Sequence, residues 1–265
     1  MARYTHGHSE SVLRSHTWRT AENSCAYLLD DLGPGIDLLD VGCGPGTITT
    51  DLARIVAPGR VVGVDTSHEV LLKASELASA RGVTNTMFEP ADVYALPYGN
   101  ASFDVVHAHQ VLQHLDDPVA ALREMRRVLR PHGVLAVRDV DYGGMRWFPR
   151  LPGLDEWLDL YQQTARRNGG EPDAGPRLLG WVRAAGFTDT TATASTWCYA
   201  DDETRRWWAG VWADRVQHSR FAEHAEELGL ADASGLEAMA DAWREWGERE
   251  DGWFAMVHGE VVARR

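Results

Sequence analysis

A glycine-rich turn directly after a short apolar run constrains this chain more than any other feature. The run at residues 36–39 ends in Asp40, and glycines follow at positions 42, 44 and 46. Glycine adopts backbone conformations that are closed to other residues, and it lacks the Cβ atom that would hold a ligand away. The pattern therefore predicts a buried strand that ends in a turn, with a flat ligand lying against that turn.

The glycine spacing differs from that of a dinucleotide site. The dinucleotide fingerprint is Gly-x-Gly-x-x-Gly, in which the third glycine lets a helix N-terminus meet a pyrophosphate. Thr47 stands at the third position here. The dinucleotide fingerprint is therefore not matched. We still expect the turn to follow a strand of a sheet like that of dinucleotide-binding domains.

Two further acidic residues follow predicted strands. Residues 60–65 form a short apolar segment ending in Asp65, which lies 21 positions after Gly44 (65 − 44). A ribose-binding carboxylate is expected about 20 residues after such a turn. Asp65 could instead cap the next helix, a role that Thr66 could share. Asp92 follows a third β-type segment in the same way.

Longer motifs in residues 35–140 resemble a known family. Asp-x-Gly-x-Gly-x-Gly resembles motif I of the class I S-adenosylmethionine-dependent methyltransferases. The order Phe-Asp-Val-Val, Leu-x-His-Leu-x-Asp-Pro and Leu-Arg-Glu-x-x-Arg-Val-Leu-Arg-Pro-x-Gly is similar to their ubiquinone/menaquinone-type branch. The resemblance implies that the turn holds the methionine part and ribose of S-adenosyl-L-methionine, and that S-adenosyl-L-homocysteine is the product.

The same resemblance implies a set of cofactor-binding residues. Asp65 would bind the ribose, Asp92 the adenine amino group, and the Val93 backbone N–H an adenine ring nitrogen. Arg19, in the predicted lid, is a candidate partner for the methionine carboxylate, and a solvated surface arginine is the alternative. The whole predicted set is Tyr4, Arg19, Asp40, Gly42, Cys43, Gly44, Gly46, Asp65, Thr66, Asp92, Val93, His109 and Gln110.

The fold class predicted is α/β. Apolar strands alternate with helical segments, which indicates parallel strands with right-handed crossovers. We expect a Rossmann-like, seven-stranded, mostly parallel sheet with helices on both faces, an N-terminal helical lid and a C-terminal helical cap insertion. The predicted units are the lid at 1–34, the S-adenosylmethionine-binding core at 35–141, a linker loop with helices at 142–186, and the last two strands at 187–265 with the cap at about 201–250.

The predicted methyl transfer needs the acceptor nucleophile to be aligned with the methyl group and, for some acceptors, a base. The nucleophile must lie about 3–3.5 Å from the methyl group, and its proton must be removed where necessary. Histidine suits this role because it titrates near neutrality. The predicted catalytic residues are His109, His114, His8 and Asp141. Contact with the methionine part is an alternative role for His109, and a structural hydrogen bond is an alternative for His114.

Aromatic residues after position 141 are expected to bind the methyl acceptor. Packing of the cap on the sheet is the alternative role for these rings. The predicted substrate pocket comprises Tyr142, Trp147, Trp207, Trp208 and Trp212. The acceptor is then a small aromatic or polycyclic molecule of bacterial specialised metabolism, methylated at C, O or N. The alternatives are a quinone-biosynthesis C-methyltransferase, a nicotinamide-dependent oxidoreductase and a non-catalytic cofactor-binding protein.

Composition narrows the possible partners and location. The formal net charge is −13, which argues against a nucleic-acid partner. Cys25, Cys43 and Cys198 stand singly, which predicts a reducing compartment and no metal site.

No apolar run is as long as a membrane span, so a cytoplasmic protein without a membrane partner is expected. Lys73 is the only lysine among 26 basic residues, a bias typical of GC-rich bacteria. A monomer or homodimer is expected.

Overall fold

Five parallel strands form the part of the sheet that carries the glycine turn. In the computed structural model, the residues described are 3–5 and 16–265. The parallel strands are β1 Leu38–Val41, β2 Val61–Asp65, β3 Thr86–Pro90, β4 Phe103–His109 and β5 Leu129–Val140. All four residues of β1 are buried, as the apolar run predicted.

Three antiparallel partners complete the sheet: β6 Arg146–Phe148, β7 Asp189–Tyr199 and β8 Trp253–Arg264. Strand β8 lies between β5 and β7 and is antiparallel to both. The order is β3-β2-β1-β4-β5-β8-β7, and β6 pairs with β8 beyond the end of β5. The predicted α/β class is confirmed.

The sheet has eight strands where the sequence predicted seven. The additional strand is β6, whose residues were assigned to a loop. Three residues are too short to show the alternation by which a strand is recognised. Only pairing with β8, in which Trp147 lies opposite Phe254, makes this segment a strand.

Helices cover the sheet and begin at recognisable caps. The helices before β7 are α1 Ala21–Cys25, α2 Thr47–Val56, α3 His68–Ala80, α4 Pro118–Val128, α5 Pro152–Arg167 and α6 Leu178–Ala184. Thr20 forms a capping box at the start of α1, and Asp117 caps α4 ahead of Pro118. Such residues satisfy backbone N–H groups that have no partner inside the helix.

A helical cap lies between β7 and β8, where the insertion was predicted. Its helices are α7 Asp202–His218, α8 Arg220–Glu227 and α9 Ala233–Gly247. The cap has an aromatic core in which Trp157 of α5 contacts Trp212 and Trp243 at ring distances of 4.4 and 4.8 Å. Of the helices described, none is long and apolar enough to cross a bilayer.

Candidate active site

A cavity of about 400 Å³ lies at the carboxyl ends of the parallel strands. It opens beside β1 and β4, which are neighbours in the sheet although β2 and β3 separate them in sequence. Ligands of open α/β sheets bind where the strand order reverses in this way. The residues of the wall follow β1, β2, β3 and β4, and others come from the N-terminal segment, β7, α7 and β8.

The three glycines of the turn have different surroundings. All three have positive φ, with values of 67°, 53° and 77° at Gly42, Gly44 and Gly46. A Cβ at Gly42 would lie 2.4 Å from Val111, and one at Gly46 would lie 2.8 Å from Ala74. A Cβ at Gly44 would find its nearest protein atom 3.9 Å away. Gly44 therefore faces open cavity. Gly46 packs against α3 and is absent from the cavity wall, which corrects its predicted role in cofactor contact.

The acidic residues after β2 and β3 lie on the cavity wall. Asp65 accepts hydrogen bonds from the Gly44 N–H at 3.2 Å and from the Ser67 N–H at 3.0 Å. These hydrogen bonds fix the glycine turn to the start of α3. Asp65 also lines the cavity. Asp92 is exposed at the rim and accepts from the Tyr94 N–H at 2.9 Å. Thr66 and Val93 also line the cavity, as do Gly42 and Cys43.

Asp40 belongs to a buried polar chain beneath the turn. One of its carboxylate oxygens lies 2.7 Å from His107 Nδ1, and the other accepts a 2.6 Å hydrogen bond from Thr49. The far side of the His107 ring contacts Cys25 Sγ at 3.1 Å. Asp40 also borders the cavity, but both of its oxygens already have partners. Its side chain therefore supports the turn from below.

The charge state of His107 is set by this chain of contacts. Burial lowers the pKa of His107, but Cys25 and Asp40 outweigh it and raise the pKa to about 10. His107 is consequently a buried cation against the Asp40 carboxylate at neutral pH. A folded-state pKa above the unfolded value means that stabilisation is complete below about pH 6.5 and is lost as the pH rises through about 10.

We expect H107Q to destabilise the protein by about 3–5 kcal/mol at pH 7, the cost of breaking a buried ion pair. The loss should shrink toward pH 10, because the wild type itself loses the imidazolium there. Urea unfolding at both pH values measures the difference, with H68Q at an exposed position of α3 as the control. An equal loss at pH 7 and pH 10 would contradict the ion pair.

His109 stands at the end of β4 in the wall of the cavity. It is buried, and within residues 3–5 and 16–265 neither ring nitrogen has a hydrogen-bond partner. Its ring lies 5.8 Å from that of Trp197 and 6.3 Å from that of His258. Burial lowers the pKa of His109 well below the usual value, and the cations Arg138 and Arg19 lower it further. The imidazole is therefore neutral at neutral pH, and one of its ring nitrogens can accept a hydrogen bond.

A hydrogen-bonded chain runs beside His109. Arg19 donates to Gln110 Oε1 at 2.7 Å, and Gln110 Nε2 donates to His258 Nε2 at 2.9 Å. His258 Nδ1 in turn donates to the Met256 carbonyl at 3.1 Å. A carbonyl can only accept, so His258 carries its proton on Nδ1. The chain fixes Gln110 and Arg19, both predicted cofactor residues, on the cavity wall.

His114 and Tyr4 meet across the cavity mouth. Their rings are 4.8 Å apart and perpendicular. Burial, with a smaller contribution from Arg19, lowers the pKa of His114 to about 3. Gln113 lies 3.0 Å from His114 Nε2, in keeping with the alternative structural role. Tyr4 is held there because the Arg3 backbone N–H donates to the Asn168 carbonyl at 2.8 Å.

Besides Gly46, four predicted site residues do not reach the cavity. The backbone of Asp141 pairs with that of Asp173 in an isolated antiparallel β-bridge outside the cavity. This position removes the predicted catalytic role of Asp141. Trp147 stacks on Phe254 at 5.8 Å. Trp212 is fully buried in the cap core. Trp207 packs against Trp18, and neither of these two residues lines the cavity. The prediction that these tryptophans line the acceptor pocket is therefore wrong. His8 lies outside the described residues.

Other residues take the place of those tryptophans. Trp197 and Tyr199 of β7 line the cavity together with Arg215 of α7 and Met256 of β8, beside the predicted Tyr142 and Trp208. Trp197 and Tyr199 are two residues apart in a strand and thus share a face. That alternation could have identified them from sequence. Nothing in the sequence of α7 distinguishes Arg215 from the exposed arginines near it.

Among residues 3–5 and 16–265, no group of three or more His, Cys, Asp or Glu side chains is arranged to hold a metal ion.

Comparison with known proteins agrees with the geometry of the cavity. A family model described as a methyltransferase domain matches residues 32–181, more than half of the 265 residues. The chain belongs to the methyltransferase family. An uncharacterized methyltransferase of Schizosaccharomyces pombe is 37% identical to it over 272 residues, which cover 99% of this chain and 96% of that protein.

Two further proteins resemble this methyltransferase, one in sequence and one in fold. The 27-O-demethylrifamycin SV methyltransferase of Amycolatopsis mediterranei is 36% identical over 190 residues, which cover 65% of this chain and 67% of that protein. A Haemonchus contortus phosphoethanolamine N-methyltransferase, crystallised with S-adenosyl-L-methionine, matches with a TM-score of 0.54 at 16% identity, over 88% of this chain and 49% of that one. The methyltransferase has the class I fold and uses S-adenosyl-L-methionine.

Proposed function

We propose that this methyltransferase methylates a small aromatic or polycyclic acceptor, with His109 as the proton acceptor. The observation that carries the proposal is the state of His109: neutral, buried and without a hydrogen-bond partner among the described residues, in the wall of the cavity. Buried polar groups are normally paired, so an unpaired one that lines a cavity is a natural contact for a bound ligand.

The residues at the strand ends fit the cofactor. Gly44 leaves the space in which its ribose and methionine part would lie, and the carboxylates of Asp65 and Asp92 offer acceptors for ribose hydroxyls and the adenine amino group. Arg19, held by Gln110, offers a cation for the methionine carboxylate. When bound, S-adenosyl-L-methionine supplies an electrophilic methyl group on a sulfonium.

His109 would act on the acceptor. An acceptor O–H or N–H whose proton passes to an imidazole nitrogen becomes a stronger nucleophile, and its electron pair forms the new bond to carbon. Burial keeps His109 neutral across the neutral range, so one ring nitrogen has a lone pair that can receive the proton during transfer. Tyr4, Trp197 and Tyr199 line the cavity with aromatic rings, which would limit the access of water to a bound acceptor.

The size and lining of the cavity favour a small-molecule acceptor. A volume of about 400 Å³ lies within the range of small-molecule sites, and aromatic rings form much of the wall away from the glycine turn. The related Amycolatopsis enzyme is named for a small-molecule acceptor, 27-O-demethylrifamycin SV, and we propose an acceptor from specialised metabolism here as well, in the cytoplasm. Quinone-biosynthesis C-methylation is the second candidate, because enzymes of that branch resemble this chain in the motifs of residues 103–133.

The cofactor assignment is tested by thermal shift with S-adenosylhomocysteine and NAD⁺ in parallel. A ligand at 100 times its Kd stabilises the folded state by about 2.7 kcal/mol. We expect this stabilisation from S-adenosylhomocysteine alone. Stabilisation by NAD⁺ instead would favour the oxidoreductase alternative.

Asp65→Ala should weaken S-adenosylhomocysteine binding by about tenfold to a hundredfold, because charged acceptors of hydrogen bonds contribute about 1.5–3 kcal/mol. Asp51→Ala in α2 is the matched control, because Asp51 also accepts a backbone N–H, that of Ala21, but is absent from the cavity wall. Calorimetry gives both affinities, and an unchanged affinity in Asp65→Ala would remove Asp65 from the ribose site.

Methyl transfer itself is tested with the intact enzyme, S-adenosyl-L-methionine and a panel of hydroxynaphthalenes and hydroxynaphthoates. Mass spectrometry should find a product heavier by one CH₂ unit. S-adenosylhomocysteine binding without transfer to any member of the panel would contradict an aromatic acceptor.

A further inference from the structure

Strand β7 is a sheet edge with no covering layer over much of its length. It pairs with β8 on one side, and its other side has no strand partner among the described residues. The residues from Thr191 to Ala194 are all exposed, although successive side chains of a strand point to opposite faces of the sheet. Both faces of this segment are therefore open to solvent. A free row of backbone N–H and C=O groups is a template for another strand.

The other two edges of the sheet carry features that discourage such pairing. Strand β3 has five residues and ends at Pro90, and β6 has three residues and is followed by Pro149. Short edge strands and prolines oppose the addition of a further strand. Strand β7 has neither feature: it runs for 11 residues without proline, lysine or arginine, and Asp189 is its only charged residue. It is therefore the edge to which a strand can be added.

Space for an added strand lies beside β7. A cleft of about 560 Å³ separates β7 from the helical segment at residues 22–27, and its wall includes Asn23, Tyr27, Thr191 and Thr193. Side chains of a strand added at the edge would enter this cleft without displacing any part of the described chain.

The sequence of β7 is complementary to itself in an antiparallel arrangement. A twofold axis between two copies places the strand antiparallel to its own counterpart, so that each contact is made twice. In a pairing centred on Thr193, Ala192 lies opposite Ala194 of the second copy and Thr191 lies opposite its Ser195. Hydroxyl pairs of this kind stabilise a sheet, whereas like charges directly opposite each other destabilise it. Asp189 lies opposite residue 197 in this register, so no like charges meet along the strand.

The two ends of β7 differ in charge. Three acids follow its last residue: Asp201, Asp202 and Glu203. Three arginines lie at the segment that precedes its first residue: Arg123, Arg126 and Arg183, of which the first two reach this segment from α4. A twofold axis at the middle of the strand brings the acidic end of one copy beside the basic end of the other. This complementarity favours a second copy as the partner, although each copy carries a formal net charge of −13.

We propose that this protein forms a twofold dimer in which β7 of one copy pairs antiparallel with β7 of a second copy. The pairing joins the two eight-stranded sheets into one continuous sheet. It depends neither on the identity of the methyl acceptor nor on the role of His109.

Analytical ultracentrifugation of the intact protein tests the dimer from about 1 to about 100 μM, a range that detects micromolar association. We expect dimer to predominate at the upper concentration. Ala194→Glu places carboxylates on both sides of the axis and should weaken the dimer by about a hundredfold or more, because like charges brought together at an interface cost several kcal/mol. Ala194→Lys should do the same. Ala80→Glu, at an exposed position of α3, should leave the affinity within about twofold of the wild type.

A mixture of the two Ala194 variants separates a lost interface from a damaged fold. Position 194 of one copy and position 194 of the other are diagonal neighbours across the axis, within reach of long side chains. An equimolar mixture of Ala194→Glu and Ala194→Lys should therefore form a heterodimer. Thermal unfolding of each variant is measured first, and if either does not fold, Ala192→Glu and Ala192→Lys serve in the same way.

Hydrogen exchange gives a second readout on the wild type. The amides of residues 191–195 that face the outer edge should exchange more slowly at about 100 μM than at about 1 μM, because pairing protects them. Any of four results would overturn the proposal: a monomeric wild type at the upper concentration, a dimer that persists in Ala194→Glu, a charge-swapped mixture that does not associate, or exchange in β7 that is independent of concentration. A monomeric wild type would favour an extended peptide of another protein as the partner of this edge.

Discussion

Gly44→Val is expected to reduce S-adenosylhomocysteine affinity by about tenfold to a hundredfold in a protein that still folds. The Cβ at this position would meet no protein atom closer than 3.9 Å, so the new side chain enters the space that the cofactor would fill. Overpacking of a filled site costs about 1–3 kcal/mol or more, and each 1.4 kcal/mol is a factor of ten in affinity. Calorimetry measures the loss.

Backbone strain must be separated from this steric effect. Gly44 has φ of 53°, and a valine there is strained whatever the space around it. Gly82 offers a matched control, because its φ is 66° and a Cβ there would meet nothing within 4 Å. Gly82→Val should show the same thermal destabilisation and normal S-adenosylhomocysteine affinity. Normal affinity in Gly44→Val would mean that the glycine serves the turn alone.

His109→Gln is expected to lower kcat by about 10²- to 10⁴-fold, the contribution of a positioned general base. Glutamine preserves the approximate size and polarity of the side chain but cannot take up a proton. S-adenosylhomocysteine affinity should change by less than about threefold, which separates proton transfer from cofactor contact. The measurement is steady-state turnover with the acceptor identified from the naphthalene panel.

The pH profile gives a second readout for His109. Its lowered pKa means that the wild-type imidazole is neutral above the acidic range, so activity should be flat across neutral pH and fall only in acid. His114→Gln is the control, because His114 also lines the cavity but already contacts Gln113. Full turnover in His109→Gln, or a larger loss in His114→Gln, would exclude His109 as the base.

Local patterns in the sequence determined the cofactor end of the site. Asp40 and the glycines specify a strand followed by a turn, and a parallel sheet carries the ends of β1, β2 and β3 to one edge. Asp65 and Asp92 therefore meet at the cavity because of the order of elements alone. The same order made the α/β class predictable.

Bacterial origin and the quinone-type branch remain predictions.

The aromatic part of the cavity wall was decided by tertiary structure. Trp208 and Trp212 are one helical turn apart on α7, yet one lines the cavity and the other is fully buried in the cap core. Their spacing cannot separate them, because residues four apart share a helix face. The outcome depends on how Trp157 and Trp243 from other helices pack around Trp212.

The sequence by itself thus determined the features that depend on periodicity and on the order of strands: the sheet, the glycine turn and the acids beside it. Only the tertiary structure decided which side chains distant in sequence came together, such as His107 beneath Asp40 and Arg215 beside Tyr4. The physical reason is that backbone preferences act within a few residues. Burial and charge pairing depend on neighbours that only the folded chain supplies.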